Sequence, residues 1–152
     1  MYLISACLLG ENCKYSGGNN LTDWVAAFAK EHSCMPVCPE VAGGLSVPRH
    51  PCEIREDAAG GNTAVVNDIG EDVTAAFESG AEETLRAAQK EARARGEKIE
   101  GAILKKNSPS CGSGSIYDGT FSHTLICGDG IFVRRLREIG IPVWNEERKD
   151  LL

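Results

Sequence analysis

Seven cysteines stand in a chain of 152 residues, at Cys7, Cys13, Cys34, Cys38, Cys52, Cys111 and Cys127. Thiolates are soft donors that select zinc, copper(I) or iron–sulfur clusters. Their spacing excludes several of the usual arrangements. No Cys-x-x-Cys occurs, so neither a thioredoxin-type redox pair nor a ferredoxin-type run is present. Cys34 and Cys38, if the chain between them is extended, are separated by about 13 Å at roughly 3.3 Å per residue, too far to share a metal. Cys34 is therefore assigned to the core. Cys7, Cys38 and Cys111 share one context, because each follows a short apolar run: Tyr2–Ala6, Met35–Val37 and Gly101–Leu104. If these runs are parallel strands, the loops at their carboxyl ends converge on one crevice, where such sheets bind ligands. Three thiols from distant parts of the chain then meet at one place. A four-iron cluster normally takes four cysteines, so three would leave one iron with an open position, able to act as a Lewis acid. Taken singly, each cysteine also suits a small buried hydrophobe. Cys13 lies in a loop that could fold back over Cys7.

Other residues near these thiols carry complementary chemistry. Glu40 follows Cys38 by two positions, and a carboxylate beside a metal crevice can serve as general base on water, although it also suits a surface loop. Ser108 and Ser110 flank Pro109 just before Cys111, and their hydroxyls could bond a ligand, a sulfur or the attacking water, or simply shape the turn. Gly112-Ser-Gly-Ser115 could offer backbone N–H groups to an anion, but lacks the glycine order of a P-loop. Arg49, Lys105 and Lys106 could attract an anionic substrate group or be solvated. His32, His50 and His123 are scattered and form no His-x-x-x-His pair.

The elements that must position these residues follow from hydrophobic periodicity. Tyr2–Ala6, Met35–Val37, Ala64–Val66, Gly101–Leu104, Leu125–Cys127 and Ile141–Trp144 read as strands. Asn20 is placed to cap a helix whose Leu21, Trp24, Val25 and Phe28 share one face, ending near His32. A long helix is expected from Val73 to about Arg95, with Gly80 a weak point and Gly96 at the C-cap. A further helix is expected over Ile131–Ile139, and a short acidic one after Trp144. Residues 8–18, 41–63 and 105–119 read as turn-rich loops, and loops of that length are usually functional. Strands alternating with helices predict an α/β domain with a mostly parallel sheet and helices on its faces. Pro142 places the last strand at an edge.

The length fits one domain spanning 1–152. Lysine plus arginine is 16 against 22 aspartate plus glutamate, a net charge of −6, which argues against a dedicated nucleic-acid binder. No secretory leader pattern is read at the start, and the first apolar run is too short to cross a membrane. An odd number of thiols suits a reducing, cytoplasmic setting.

Ser5-Ala-Cys-Leu-Leu-Gly10 with Cys13-Lys-Tyr15, then Cys38-Pro-Glu40 with Gly43-Gly-Leu45 and Pro48-Arg49, then Ser108-Pro-Ser-Cys-Gly112 arrive in one order. Together they resemble the thiouracil desulfidase family, over nearly the whole chain from Ser5 to Trp144. Lys14 and Ser16 depart from that pattern, standing where relatives often carry arginine and an acidic residue. The resemblance implies a single Rossmann-like domain holding a [4Fe–4S] cluster on Cys7, Cys38 and Cys111. It implies non-redox removal of sulfur from a small thiolated pyrimidine such as 2-thiouracil, giving uracil and sulfide. The thiocarbonyl sulfur would bind the open iron, Glu40 would activate water, and either Ser108 or Ser110 would assist. The competing reading is a non-enzymatic metal-binding or redox-sensing protein, with a coordinatively full site that recruits Cys13.

Overall fold

The computed structural model describes residues 1–56 and 63–148. The chain runs β1 (Tyr2–Ser5), a 3-10 turn (Ala6–Leu9), α1 (Asp23–Glu31), β2 (Cys34–Val37), α2 (Pro39–Ala42), β3 (Cys52–Glu56), β4 (Thr63–Asn67), α3 (Thr74–Ala94), β5 (Gly101–Leu104), β6 (Ser115–Tyr117), β7 (Leu125–Cys127), α4 (Ile131–Glu138) and β8 (Val143–Asn145). Four strands form a parallel sheet in the order β2-β1-β5-β8, with Tyr2 facing Cys34 on one side and Gly101 on the other. The expected α/β architecture is present. Pro36 lies on one outer strand and Pro142 just before the other, as a residue lacking an N–H requires.

Alternation along the two central strands sets the layers. Leu3, Ala102 and Leu104 pack with Phe77, Ala81, Leu85 and Ala88 of α3 and Phe132, Val133 and Leu136 of α4. Ile4 and Ile103 point the other way, onto Val25 and Phe28 of α1. Each of these large side chains is almost entirely out of water, contributing about 1.5–3 kcal/mol. Helices thus cover both faces, and the carboxyl ends of β1, β2 and β5 share one edge.

Several boundaries differ from expectation. Helix α1 is capped by Thr22, not Asn20, because the Asn20 backbone N–H donates to the Cys7 carbonyl at 2.9 Å. Residues 41–63 were expected to be irregular, yet β3 pairs antiparallel with β4. Its charges hid it: Glu53 is buried because its carboxylate accepts the backbone N–H groups of Gly119 and Phe121. Gly60 and Gly61 of that stretch lie outside the described residues. Within the expected loop 105–119, β6 pairs with β7 in a second antiparallel ribbon, so the expected strand Leu125–Cys127 joins that ribbon and not the main sheet. After Trp144, strand β8 continues to Asn145 and a turn follows at Glu146–Glu147; the remainder of the expected tail helix, residues 149–152, lies outside the described residues. Among the described residues no helix is long and apolar enough to cross a membrane.

Candidate active site

Cys7 sits in the 3-10 turn that immediately follows β1. Gly10 closes that turn in the left-handed region at φ 93°, where a side chain would be strained, and its N–H returns to Cys7 O. Cys38 is the N-cap of α2, where Pro39 at the first helical position starts the helix without a wasted N–H. The same turn carries Glu40. Helix α2 lies directly on α3: a Cβ on Gly43 would stand 2.0 Å from the Ala76 carbonyl oxygen, and one on Gly80 would stand 2.0 Å from that of Pro39. Gly80, expected as a weak point in α3, is instead the place where the two backbones touch.

Cys111 is fixed from two directions. The Ser108 hydroxyl accepts the backbone N–H groups of Ser110 and Cys111 at 3.2 and 3.0 Å. The first N–H groups of α4, which have no partner inside their own helix, are donated to this loop: Ile131 N to Pro109 O at 2.8 Å and Phe132 N to Ser110 O at 3.0 Å.

Cys7, Cys38 and Cys111 line one cavity of about 550 Å³, together with Cys13, Cys52, Glu40, Ser108 and Ser110. All the residues singled out from sequence at this site are thus gathered there. Cys34 is at the far end of β2 and packs in the smaller core cluster, as expected, and Cys127 is exposed. The loop carrying Cys13 does fold back, leaving the Cys13 carbonyl oxygen 4.0 Å from the Cys38 sulfur. Burial pushes the Cys111 thiol up to about 12, partly opposed by hydroxyls of Ser5 and Ser110, the latter 3.7 Å from its sulfur. Burial, then the nearby Cys38, pushes Cys13 up to about 12. Burial also raises Cys7, against a hydrogen bond from Asn20. A wall that holds its thiols neutral while aiming hydroxyls at sulfur suits a cationic group that binds thiolate. Among the described residues no three His, Cys, Asp or Glu side chains form a group able to hold one metal ion. A cluster spreads its thiolates over separate irons, so its donors need not crowd together as those of tetrahedral zinc do. The donor set fits a cluster better than a single ion.

The Glu40 carboxylate is held at both oxygens. The Arg49 Nε donates to Oε1 at 3.0 Å and the Ser110 hydroxyl to Oε2 at 2.7 Å, with the Ser108 hydroxyl 2.9 Å further back. Both partners of the ion pair are nearly buried, Arg49 at 7% and Glu40 at 13% exposure. Sequence reasoning considered Arg49 as a substrate anchor; it is a clamp on Glu40. Asn20 beside Cys7 and Cys52 beside Glu40 were missed. The Pro48-Arg49 motif hinted at the clamp, whereas nothing in the sequence singled out Asn20. Two expectations fail. Gly112 N and Gly114 N donate to Ser108 O and Asp129 Oδ1, so they do not cradle an anion. Lys105 and Lys106 are paired with Glu146 and Glu147.

Soft donors and a fixed carboxylate on one cavity, at the carboxyl edge of a parallel sheet, define a cofactor-using α/β enzyme site. The model of the 2-thiouracil desulfurase family matches residues 2–148, and the chain belongs to that family. The uncharacterized protein YbbK of Bacillus subtilis (strain 168) is 41% identical over 157 aligned residues, covering 100% of both chains. The solved structure of the [4Fe-4S]-dependent thiouracil desulfidase TudS superposes with a TM-score of 0.80 at 40% identity, over 99% of this chain and 93% of that one.

Proposed function

We propose that the protein is a cytoplasmic desulfidase that exchanges the thiocarbonyl sulfur of a small thiolated pyrimidine, such as 2-thiouracil, for oxygen. Cys7, Cys38 and Cys111 would hold a [4Fe–4S] cluster with one iron open. When bound, that cluster supplies a soft Lewis acid suited to a thione sulfur. Glu40 takes a proton from water, whose oxygen bonds to the ring carbon. The carbon–sulfur bond then breaks, sulfur leaves as sulfide, and no atom changes oxidation state. Arg49 fixes the direction of the Glu40 carboxylate. The Ser110 hydroxyl, backed by Ser108, holds the other oxygen and gives the proton a path away from the ring. The cavity encloses a base-sized ligand; nothing in this reading calls for nucleic acid or a membrane.

The observation that carries this reading is a carboxylate clamped at both oxygens on the same cavity wall as three strand-end thiols. It also favours catalysis over a purely metal-storing or sensing role, which needs no such base. Protein prepared without oxygen is expected to carry about four irons and four acid-labile sulfides per chain. Cys7→Ala, Cys38→Ala and Cys111→Ala should each lose them. Glu40→Gln should keep the cluster and lose uracil formation from 2-thiouracil. Full turnover in Glu40→Gln would remove Glu40 from the mechanism.

A further inference from the structure

Polar groups on the cavity wall divide into two sets. Glu40, Arg49, Ser108, Ser110, Lys105 and Lys106 are engaged with one another or with Glu146 and Glu147. Asn107, Tyr117 and His123 line the same cavity, yet their side chains make no hydrogen bond among the described residues. These three are adjacent: Asn107 bridges Ile116, the residue before Tyr117, and the Tyr117 and His123 rings meet edge to face at 6.0 Å. Asn107 and His123 also have φ of 63° and 59°, a region that non-glycine residues seldom occupy and that concentrates at functional sites.

We propose, building on the desulfidase reading, that Asn107 reads the N3–H and C4=O edge of the pyrimidine while Tyr117 and His123 cover its ring. A carboxamide offers one acceptor and one donor side by side, the complement of that edge, and asparagine makes such paired contacts with bases elsewhere. An aromatic ring supplies a face for any planar base. The contact leaves the C2 thione free to meet the cysteines. The substrate class is therefore a thiobase with an unsubstituted N3.

The test uses cluster-loaded protein. Calorimetry with uracil and 3-methyluracil measures binding without any thione, and kcat/KM is compared for 2-thiouracil and 3-methyl-2-thiouracil. Wild type is expected to prefer the unmethylated base by about tenfold or more. Asn107→Gly accepts the same backbone conformation without the amide, and Asn107→Asp keeps the shape without the donor. Both should abolish the preference through KM, with iron content retained. Tyr117→Ala should weaken both bases alike. An unchanged preference in Asn107→Gly, or equal or absent binding of the two uracils by wild type, overturns the inference. A wild type that shows the binding preference but releases no sulfide supports this recognition and overturns desulfuration.

Discussion

The Glu40–Arg49 pair differs from the other ion pairs of this protein in being almost out of water. An exposed pair such as Arg95–Glu91 contributes about 0–1 kcal/mol. Removing one member of a buried pair costs about 3–5 kcal/mol, because the other charge is left without compensation. Arg49→Met should therefore lower unfolding free energy in urea by about 3 kcal/mol and suppress turnover, while anaerobic protein retains its iron. The double variant Glu40→Gln with Arg49→Met should recover most of the stability and none of the activity. If Arg49→Met and wild type unfold at the same urea concentration, the clamp has no energetic weight. Composition and order were enough to select Glu40, both serines and the three thiols. Arg49 was ambiguous because its partner is chosen by the tight path of residues 41–51, which no periodic pattern encodes. Asn20 was lost for a similar reason, since its backbone serves Cys7 where a helix cap had been expected.

Elements with a repeating apolar face were legible: α1, α3, α4 and the strands of the main sheet all lie close to where spacing puts them. The two ribbons were not. β3 carries a buried glutamate that satisfies backbone donors, and β6 has three residues, too few to show alternation. Propensity misread Gly80 as well. Glycine in a helix interior is less favourable than alanine by about 1 kcal/mol, so helix propensity alone predicts that Gly80→Ala stabilises. The crossing predicts the opposite sign, since the new methyl meets the Pro39 backbone carbonyl at 2.0 Å and no flexible side chain can yield. Overpacking of this kind costs about 1–3 kcal/mol. Gly80→Ala should be destabilised in thermal or urea unfolding. It should also bind less iron, because the displaced α2 carries Glu40 and is capped by Cys38. The neighbouring Ser79→Ala, on the exposed side, should stay within about 0.5 kcal/mol of wild type. Equal stability of Gly80→Ala and Ser79→Ala would show that α2 gives way without cost.

Across the whole molecule, a parallel order that brings β1, β2 and β5 side by side delivers three loops to one edge, and that much follows from alternation and handedness alone. What ties the edge down comes from the far end of the sequence. Lys105 and Lys106 looked like candidate anchors for substrate, and residues after Trp144 like a separate acidic helix. In the structure the two meet. Glu146 Oε1 takes the Lys105 ammonium at 2.6 Å, its Oε2 takes the Lys106 backbone N–H at 2.8 Å, and its carbonyl takes the Trp24 indole at 2.8 Å. One residue thereby links α1, the carboxyl end of β5 and the turn after β8, immediately before the segment that presents Ser108, Ser110 and Cys111. Its carboxylate is 12% exposed, so water replaces these bonds poorly. Hydrogen bonds to a charged group contribute about 1.5–3 kcal/mol. Glu146→Ala should lose about 2 kcal/mol in urea unfolding and speed hydrogen exchange at the Lys106 amide. It should also shed iron faster when the loaded protein is exposed to a chelator. Glu146→Gln keeps an acceptor for that amide and should fall between the two in all three measurements. If alanine and glutamine variants behave alike, the negative charge is what holds the loop; if neither differs from wild type, the segment from Lys105 to Cys111 is ordered by α4 alone.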